Sequence, residues 1–370
     1  MVTAAARGAE PSLSAVRTAT YTFPTPQPEA DGTLRWDSTT AVAVTLEAGG
    51  RTGLGWTYSS PAAAAVVHDK LADAVLHRDA CDITAGWTAM RQACRNLGTR
   101  GLVMQAISAV DIAWWDLKAR LLDLPLTSLL GRCRTHVPVY GSGGFTTLTD
   151  DQLAEQVEQW RTSGCTAMKI KIGEGWGTRT ARDLARVARL REHAGPDVEL
   201  MVDANGAYSI GQARRIGAAL DEHGVTWFEE PVSSDDTAGL ATLRDALRCD
   251  VAAGEYAADL HDVAALLPVV DCMQLDATRC GGYTGWLQGA ALAQSGNRQV
   301  SAHCAPSLHA FVAAAVPNVR HVEWFVDHAR LEPLVVDGTP AVRAGALHPR
   351  GDVHGHGMLL SPRAARWRTD

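Results

Sequence analysis

The sequence lacks several features that would place it in a specialised class of protein. Its eight cysteines stand singly and form no CxxC pair, which is typical of reduced thiols and not of a disulfide framework or a zinc site. It contains no run of 18 apolar residues, and its first residues, MVTAAARGAEPSLSAV, do not read as a signal peptide. We therefore expect a cytoplasmic protein without a membrane span.

Basic clusters are also absent, and the net charge is -7. This negative net charge argues against a nucleic-acid partner. A small anionic substrate remains compatible, because a metal ion and a few lysines can make a binding site locally positive. The chain is 46% hydrophobic and 20% charged, as expected of a globular protein with a large core. Its 370 residues fit two domains, or a barrel of about 250 residues with an accessory piece.

The first part of the chain is predicted to form an α+β domain. Residues 16–57 are rich in strand formers, and helical spacing of apolar residues follows over 62–77, 85–97 and 103–122. We assign residues 1–133 to an N-terminal capping domain and expect residues from about 345 to 370 to return to it.

From residue 136 onward, short apolar strands alternate with helices. The strands read VPVY, AMKIKI, VELMVD, TWFEE, VAAGE, CMQLD and QVSAH. Repeated strand–helix units form parallel sheets, and their number favours a closed barrel over an open sheet. The predicted fold class is therefore α/β: a modified TIM barrel of the (β/α)7β type over residues 134–345, with the α+β domain as its cap.

A chemically useful residue stands at or just after the end of most of these strands: Lys171, Asp203, Glu229, Glu255, Asp276 and His303. In a barrel, the carboxyl ends of the strands meet on one face, where active sites are built. Asp203, Glu229 and Glu255 would repel each other there unless a cation joined them, and an all-oxygen ligand set suits Mg²⁺. Any one of these carboxylates alone would be read as a loop salt bridge.

Lys169 and Lys171 stand two apart on one strand and so point to the same side. Facing into a barrel, each ammonium would lower the pKa of the other, which would make a neutral lysine base feasible. Asp276 and His303 end later strands, and a carboxylate beside an imidazole fixes its tautomer and raises its basicity. A lone histidine would more often be structural.

Several segments together resemble the mandelate racemase subgroup of the enolase superfamily. These are VDANGAYS, WFEEP, AGE, QLDATRCGG and SAHCAPS in the barrel, and DIAWWDLKARLLDLPLTSLLG before it. The resemblance covers essentially the whole chain. It implies that Asp203, Glu229 and Glu255 ligate Mg²⁺, as enzymes of that superfamily pair a lysine or histidine base with Mg²⁺.

The same resemblance implies roles for the other residues. Lys171 would be one base, with Lys169 assisting at the substrate carboxylate, and His303, oriented by Asp276, would be the second acid/base on the opposite face of the substrate. The resemblance implies two further roles by matching positions: Glu323 would donate a hydrogen bond to the developing enediolate, which requires a protonated carboxyl, and Asn205 would contact the substrate or a metal-bound water.

The expected reaction is Mg²⁺-dependent removal of the proton α to a carboxylate, and we favour an acid-sugar dehydratase. A racemase, an epimerase or a cycloisomerase would use the same two bases, so these alternatives stay open. A non-catalytic ligand-binding paralogue and another Mg²⁺ barrel enzyme, such as an aldolase, are more remote. The expected partners are a small sugar-acid or hydroxy-acid substrate and further copies of the chain, with no nucleic acid or membrane.

Two segments of the first domain are candidate lids over the barrel mouth. The stretch from Phe23 to Trp36 is rich in proline and polar residues, as a mobile loop would be. Trp56 and Tyr58 lie in a second candidate lid and are predicted to contact the substrate, with packing at the domain interface as the alternative. Cys304 is expected to be a small packing residue.

Overall fold

A computed structural model describes residues 11–370, so residues 1–10 of the predicted capping domain lie outside the described part. The described chain begins with an antiparallel meander of β1 (Ala15–Ala30), β2 (Arg35–Ala48) and β3 (Arg51–Tyr58). Successive side chains of a strand point to opposite faces. Along β2, Val42 and Val44 enter the core of the capping domain, while Ala41 and Ala43 belong to the core shared with the barrel. The sheet is therefore covered on both faces.

The predicted loop from Phe23 to Trp36 is wrong over most of its length. The hairpin turn occupies only residues 31–34, because β1 continues to Ala30 and β2 begins at Arg35. β1 is an edge strand, and its register on β2 shifts between Pro24 and Glu29. Proline is tolerated at such an edge because it removes no hydrogen bond from a central ladder.

Helices cover the outer face of this sheet. They are α1 (Ala62–Val66), a π-helical turn (Val67–Leu71), α2 (Ala72–Val75), α3 (Ile83–Ala93), α4 (Leu102–Leu121) and α5 (Leu126–Leu129). α4 contacts both β3 and a helix of the barrel, which explains why it is apolar on most of its circumference. Glycine at position 53 permits the close approach of β3, since a Cβ there would stand 2.2 Å from the carbonyl oxygen of Ala113.

Eight parallel strands form a closed barrel. They are β4 (Val137–Gly143), β5 (Ala167–Lys171), β6 (Glu199–Asp203), β7 (Val225–Glu229), β8 (Asp250–Ala253), β9 (Cys272–Leu275), β10 (Gln299–Ala302) and β11 (Val319–Phe325). Each strand pairs with the next, and β11 pairs with β4 to close the barrel. The register aligns Lys171 with Asp203 and Asp203 with Glu229, so these strand ends lie level at one rim.

A helix follows every barrel strand, with two after β5. They are α6 (Asp150–Thr162), α7 (Glu174–Gly177), α8 (Thr180–Ala194), α9 (Ile210–Glu222), α10 (Thr237–Ala246), α11 (Leu260–Leu266), α12 (Gly282–Ser295), α13 (Pro306–Ala314) and α14 (Val326–Val335), with a 3₁₀ turn at Leu267–Val269. A separate apolar cluster that includes Tyr140, Met201 and Trp227 fills the barrel interior. The barrel is therefore a packed core with chemistry at one rim.

The last part of the described chain contacts both domains. It contains β12 (Val336–Asp337), β13 (Ala341–Arg343), β14 (Ala346–His348), β15 (Leu359–Leu360) and a 3₁₀ helix (Pro362–Trp367). β14 pairs with β4 of the barrel, whereas Trp367 packs against Phe23 of β1 with ring centroids 4.8 Å apart. None of the helices within residues 11–370 is both long and apolar enough to span a membrane.

Candidate active site

A cavity of about 330 Å³ lies between the rim of the barrel and the capping sheet. The barrel contributes Lys171, Asn205, Glu255, Tyr256, Arg279, His303, Cys304, Phe325, Asp327 and His328, and the cap contributes Asp31, Leu34, Trp36, Ser38, Thr39, Thr40, Tyr58 and Ser59. A larger cavity of about 750 Å³ lies between the β2–β3 turn and the C-terminal segment. We take the smaller cavity as the candidate site, because the strand-end acids and bases open into it.

Three buried carboxylates meet at this rim. Oxygen atoms of Asp203, Glu229 and Glu255 lie within 4.8 Å of one another. Among the described residues Glu229 Oε1 and Asn205 Oδ1 are buried without a hydrogen-bond donor, and Glu255 Oε2 has only an ion-pair contact with His303 Nε2 at 3.3 Å. Oxygen atoms that are buried and unsatisfied at this spacing fit a hard divalent cation such as Mg²⁺.

The charges of the cluster are divided unequally between its members. Burial and the nearby charge of Asp203 raise the pKa of Glu229 to about 8. Burial also opposes ionisation of Asp203, but Lys171 and Lys169 outweigh it and lower the pKa of that carboxyl. For Glu255, His303 and Arg279 likewise outweigh burial and lower the pKa. Ionisation is thus favoured at Asp203 and Glu255 and opposed at Glu229.

Both lysines of β5 make contact with this cluster. Lys169 Nζ lies 2.6 Å from Glu229 Oε2 and 2.9 Å from Glu323 Oε1, and Lys171 donates to Asp203. Burial lowers the pKa of each ammonium, but the surrounding carboxylates raise both above the usual range. The expected mutual lowering by the two lysines is therefore outweighed in this charge environment.

His303 and Asp276 form the pair that the sequence predicts. His303 Nδ1 lies 2.9 Å from Asp276 Oδ2, while Asp276 Oδ1 accepts hydrogen bonds from the amide and the hydroxyl of Thr278. Burial lowers the pKa of His303, but the charge of Glu255 and the hydrogen bond to Asp276 raise it above the usual range. Since Nδ1 is held by Asp276, Nε2 is the nitrogen available for proton transfer.

Glu323, on β11, stands at the centre of a second group. Its carboxylate accepts from Ser142 Oγ at 2.6 Å and from the amide of Cys304 at 2.9 Å. Burial favours the neutral acid, but Lys169 and His303 dominate and lower its pKa well below the usual range. This direction is opposite to the protonated carboxyl that the resemblance implies, because the Lys169 ammonium lies 2.9 Å away and favours the ionised form.

Cys304 does more than fill space in the core. Its thiol lies 3.3 Å from His303 Nε2, and the residue lines the cavity. Its backbone has φ +51°, followed by +39° at Ala305, and such left-handed conformations in consecutive non-glycine residues are typical of functional sites. This conformation directs the Cys304 amide to Glu323.

The remaining predicted site residues differ in position. Asn205 lines the cavity, and its amide donates to Asp203 Oδ1 at 2.8 Å. Tyr58 also lines the cavity and donates through its hydroxyl to Glu332. The structure does not bring Trp56 to the cavity: its side chain is fully buried and packs near His356. Trp56 is therefore a packing residue, which was the alternative to the predicted substrate contact.

Arg279 and His328 are two of the cavity residues that the sequence did not single out. Arg279 lies inside the segment QLDATRCGG, and its guanidinium contacts Glu255 and Asp276. His328 follows Glu323 by five residues, at the start of α14, and stacks on Tyr58 with ring centroids 3.6 Å apart. Arg279 could have been predicted, because it is a charged residue within one of the motifs of the sequence. His328 could not, because no periodic pattern marks it.

Two family descriptions match the chain and together cover most of it. "Mandelate racemase / muconate lactonizing enzyme, N-terminal domain" matches residues 16–131, and "Enolase C-terminal domain-like" matches residues 152–364. Among solved structures, a mandelate racemase/muconate lactonizing enzyme-like protein from Rubrobacter xylanophilus is 44% identical, with a TM-score of 0.94 over 97% of this chain and 100% of that one. A racemase from Streptomyces coelicolor with bound magnesium is 32% identical, with a TM-score of 0.91 over 96% and 100%.

Characterised relatives carry the names of lyases and isomerases. L-talarate/galactarate dehydratase from Salmonella typhimurium is 34% identical over 324 residues, which are 85% of this chain and 79% of the relative. 3,6-anhydro-alpha-L-galactonate cycloisomerase from Streptomyces coelicolor is 33% identical over 360 residues, 94% and 97% of the two chains. The chain therefore belongs to the mandelate racemase/muconate lactonizing enzyme family of the enolase superfamily.

Proposed function

We propose that this protein removes the proton α to the carboxylate of a sugar acid and eliminates the β-hydroxyl as water, which makes it an acid-sugar dehydratase. The observation that carries the proposal is the presence of two acid/base groups, Lys171 and His303, in the wall of the same cavity as the carboxylate cluster. The dehydratase relative supports the choice of substrate class.

Asp203, Glu229 and Glu255 would hold Mg²⁺ in this proposal. Their unsatisfied buried oxygens and all-oxygen chemistry fit that ion. When bound, the cation would stabilise negative charge on the substrate carboxylate and offset the carboxylate charge that keeps the lysines protonated.

Lys171 acts as the base that takes the α-proton onto Nζ. Lys169 stays charged, since it is buried beside Glu229 and Glu323, and it neutralises the substrate carboxylate as the enediolate develops. Glu323 positions the Cys304 amide and Lys169 along the same wall. Asn205 contacts the substrate near the cluster, and Tyr58 contacts it from the capping side.

His303 acts as the general acid. Asp276 holds its Nδ1, so the Nε2 proton passes to the β-hydroxyl as the carbon–oxygen bond breaks and water leaves. The enol that remains becomes a 2-keto-3-deoxy acid by taking up a proton at C3 and releasing its hydroxyl proton to solvent. The α-proton goes to Lys171 and the proton on the leaving water comes from His303, so the cycle ends when Lys171 releases a proton and His303 takes one up.

A cycloisomerase is the second candidate, because the relative that matches 94% of this chain carries that name. In that case His303 would protonate a ring oxygen as the leaving group, and the product would keep all its atoms. A racemase or epimerase would use His303 to return a proton to the opposite face. All these reactions begin with the same proton abstraction.

The test is incubation with Mg²⁺ and pooled mono- and diacid sugars in D₂O, followed by ¹H NMR. A dehydratase gives loss of the α-proton signal together with a new 3-deoxy signal. Exchange at the α-carbon without a new methylene replaces the dehydratase with a racemase or epimerase, and consumption of a lactone or anhydro sugar without loss of water replaces it with a cycloisomerase. No exchange with any acid would contradict the proposal.

We also propose that the protein is a cytoplasmic homo-oligomer that binds neither nucleic acid nor membrane. Buried thiols such as Cys94 and Cys165 suit a reducing compartment, and the net charge of -7 does not suit a polyanion. Light scattering coupled to size-exclusion chromatography should give a mass that is a multiple of 39.4 kDa. A monomer at micromolar concentration would contradict the assembly.

A further inference from the structure

We propose that the substrate is a monocarboxylic sugar acid whose far end is an uncharged, hydroxylated carbon chain, and that the site discriminates against dicarboxylic sugar acids. This inference rests on the proposed function and deepens it. It follows from the chemistry of the cavity wall on the side away from the carboxylate cluster, where the end of the substrate opposite the reacting carboxylate must lie.

The capping side of the cavity presents hydroxyl groups and no cation. Among the described residues it consists of Asp31, Leu34, Trp36, Ser38, Thr39, Thr40, Tyr58 and Ser59. Hydroxyl side chains donate and accept, so they match the hydroxyl groups of a polyol. A second substrate carboxylate is bound best by a guanidinium or an ammonium, and this wall supplies neither.

The arginines close to the cavity are already committed to carboxylates. Arg279 Nη1 lies 3.2 Å from Glu255 Oε1, and its Nε lies 3.5 Å from Asp276 Oδ2. Arg330 pairs with Glu29 at 2.9 Å and also with Asp327. The charge of each guanidinium is therefore already shared between two carboxylates, which weakens the attraction that either arginine offers to a second substrate carboxylate.

Two carboxylates of the wall would repel a second anion. Asp31 Oδ1 accepts hydrogen bonds from the amides of Thr33 and Leu34, and no cationic side chain pairs with Asp31 within the described part of the chain. Asp327 accepts from Thr39 and Arg330, but Arg330 also pairs with Glu29, so the charge of Asp327 is only partly compensated. A dicarboxylate would bring like charges together at the mouth of the cavity, which costs binding free energy.

His328 supplies a neutral donor to the same region. Its Nδ1 accepts a hydrogen bond from the amide of Ala305 at 3.0 Å, and since an amide can only donate, the proton of the neutral ring sits on Nε2. Burial lowers the pKa of His328 to about 3, so the ring is uncharged at neutral pH. The ring is clamped between Tyr58 and Phe325, and its Nε2 has no acceptor among the described residues. This N–H suits a substrate hydroxyl.

The primary test compares sugar mono- and diacids of equal chain length and configuration, followed as α-proton exchange and 3-deoxy product formation. We expect kcat/KM for the monoacid to exceed that for the diacid by at least tenfold. Equal values, or a preference for the diacid, would overturn the inference and leave the proposed function intact. Absence of exchange with every acid would instead count against the proposed function. Calorimetry on the Lys171→Ala variant, which cannot turn the acids over, then measures its affinity for the monoacid and for the diacid. The ratio of the two affinities gives the preference for one or two carboxylates directly.

Substitution of Asp31 tests the charge argument directly. Asp31→Asn keeps the acceptor for Thr33 and Leu34 but removes the negative charge. We expect the ratio of KM for the diacid to KM for the monoacid to fall by about fivefold, the equivalent of the ~1 kcal/mol between unit charges about 4 Å apart in water. An unchanged ratio would refute the role of Asp31.

Two variants of His328 test the hydroxyl contact. His328→Asn retains an acceptor near the Nδ1 position and loses the Nε2 donor, whereas His328→Gln places an amide donor near the Nε2 position. We expect His328→Asn to raise KM about two- to tenfold for the polyol acid, with little change for the analogue deoxygenated at its far end, and His328→Gln to restore most of the affinity. An equal loss for both substrates would overturn the contact. The exposed His193→Gln serves as the matched control.

Discussion

At the scale of single residues, His303 depends on the side chain that holds it. Asp276 receives two hydrogen bonds from Thr278 and one contact from His303, so its own position is fixed. An asparagine at 276 would keep the shape but lose the charge that stabilises the imidazolium. This substitution can therefore separate the role of the Asp276 carboxylate from the role of Lys171, the base on β5.

We predict that Asp276→Asn lowers kcat for dehydration by about 10²- to 10⁴-fold, the usual contribution of a positioned general acid. Proton exchange at the α-carbon should persist, because Lys171 does not contact residue 276. NMR in D₂O measures both rates in one sample. Loss of exchange and of dehydration to the same extent would contradict the division of labour between Lys171 and His303.

Buried histidines make the stability of the fold sensitive to acid, and the pKa shifts are largest for His321 and His328. Burial lowers the pKa of His321 and of His328 to about 3, against an ordinary value of about 6.5 in the unfolded chain. Below pH 6.5 the unfolded chain therefore binds protons that the folded protein does not. The free energy of unfolding should fall as pH drops from about 6.5 towards 3, by up to about 1.4 kcal/mol per pH unit for each histidine.

Urea denaturation at a series of pH values measures this slope. The His321→Gln variant should show a shallower slope than the wild type, because one of the contributing groups is gone. The exposed His348→Gln variant should keep the wild-type slope. Identical slopes for wild type and His321→Gln would contradict the assignment of an uncharged, buried His321.

At the scale of elements, the turn of the β1–β2 hairpin is docked on the barrel loops. The amide of Trp176 donates to the carbonyl of Gly32 at 3.0 Å, and the amide of Thr146 donates to that of Ala30 at 2.8 Å. A Cβ at position 32 would stand 2.5 Å from the carbonyl oxygen of Ile172. The hairpin can therefore close the cavity only while residue 32 has no side chain.

We predict that Gly32→Ala displaces the hairpin and raises KM about tenfold or more, because Asp31, Leu34 and Trp36 leave their places in the cavity wall. Overpacking of this kind costs about 1–3 kcal/mol. Steady-state kinetics and thermal denaturation measure the two effects. Gly211→Ala, in helix α9 with an open surrounding, is the matched control and should leave KM unchanged. An unchanged KM for Gly32→Ala would show that the hairpin does not shape the site.

The elements also show what the sequence could and could not predict. The strand–helix alternation gave the barrel, and the barrel in turn brought Asp203, Glu229 and Glu255 together, because parallel strand ends share a rim. Proline-rich composition misled the prediction for the β1–β2 hairpin, since an edge strand tolerates proline. His328 could not be predicted, because its role depends on stacking against Tyr58 from a distant strand.

At the scale of the whole molecule, the two domains are joined by buried polar contacts between α4 and the start of α12. Ser108 Oγ accepts from the amides of Gly281 and Gly282, and Asp111 accepts from the amide and the hydroxyl of Thr284. Buried amides left without acceptors destabilise a protein. These contacts therefore hold the cap in register with the barrel rim.

We predict that Asp111→Ala lowers the free energy of unfolding by about 1–3 kcal/mol, because it leaves the Thr284 amide and hydroxyl buried without an acceptor. Chemical denaturation followed by far-UV circular dichroism measures the loss. The exposed Asp151→Ala variant should lie within about 0.5 kcal/mol of the wild type. A change in Asp111→Ala no larger than that of the control would contradict the interdomain role.

The central claim is that Asp203, Glu229 and Glu255 hold the Mg²⁺ on which proton abstraction depends. The most direct measurement is calorimetric titration of the chelator-treated protein with Mg²⁺, paired with the rate of α-proton exchange at each metal concentration. We predict one Mg²⁺ per chain, exchange that appears in proportion to metal bound, and loss of both in Glu229→Gln but not in the exposed control Glu155→Gln. Full exchange activity after complete metal removal, or unchanged Mg²⁺ binding by Glu229→Gln, would contradict it.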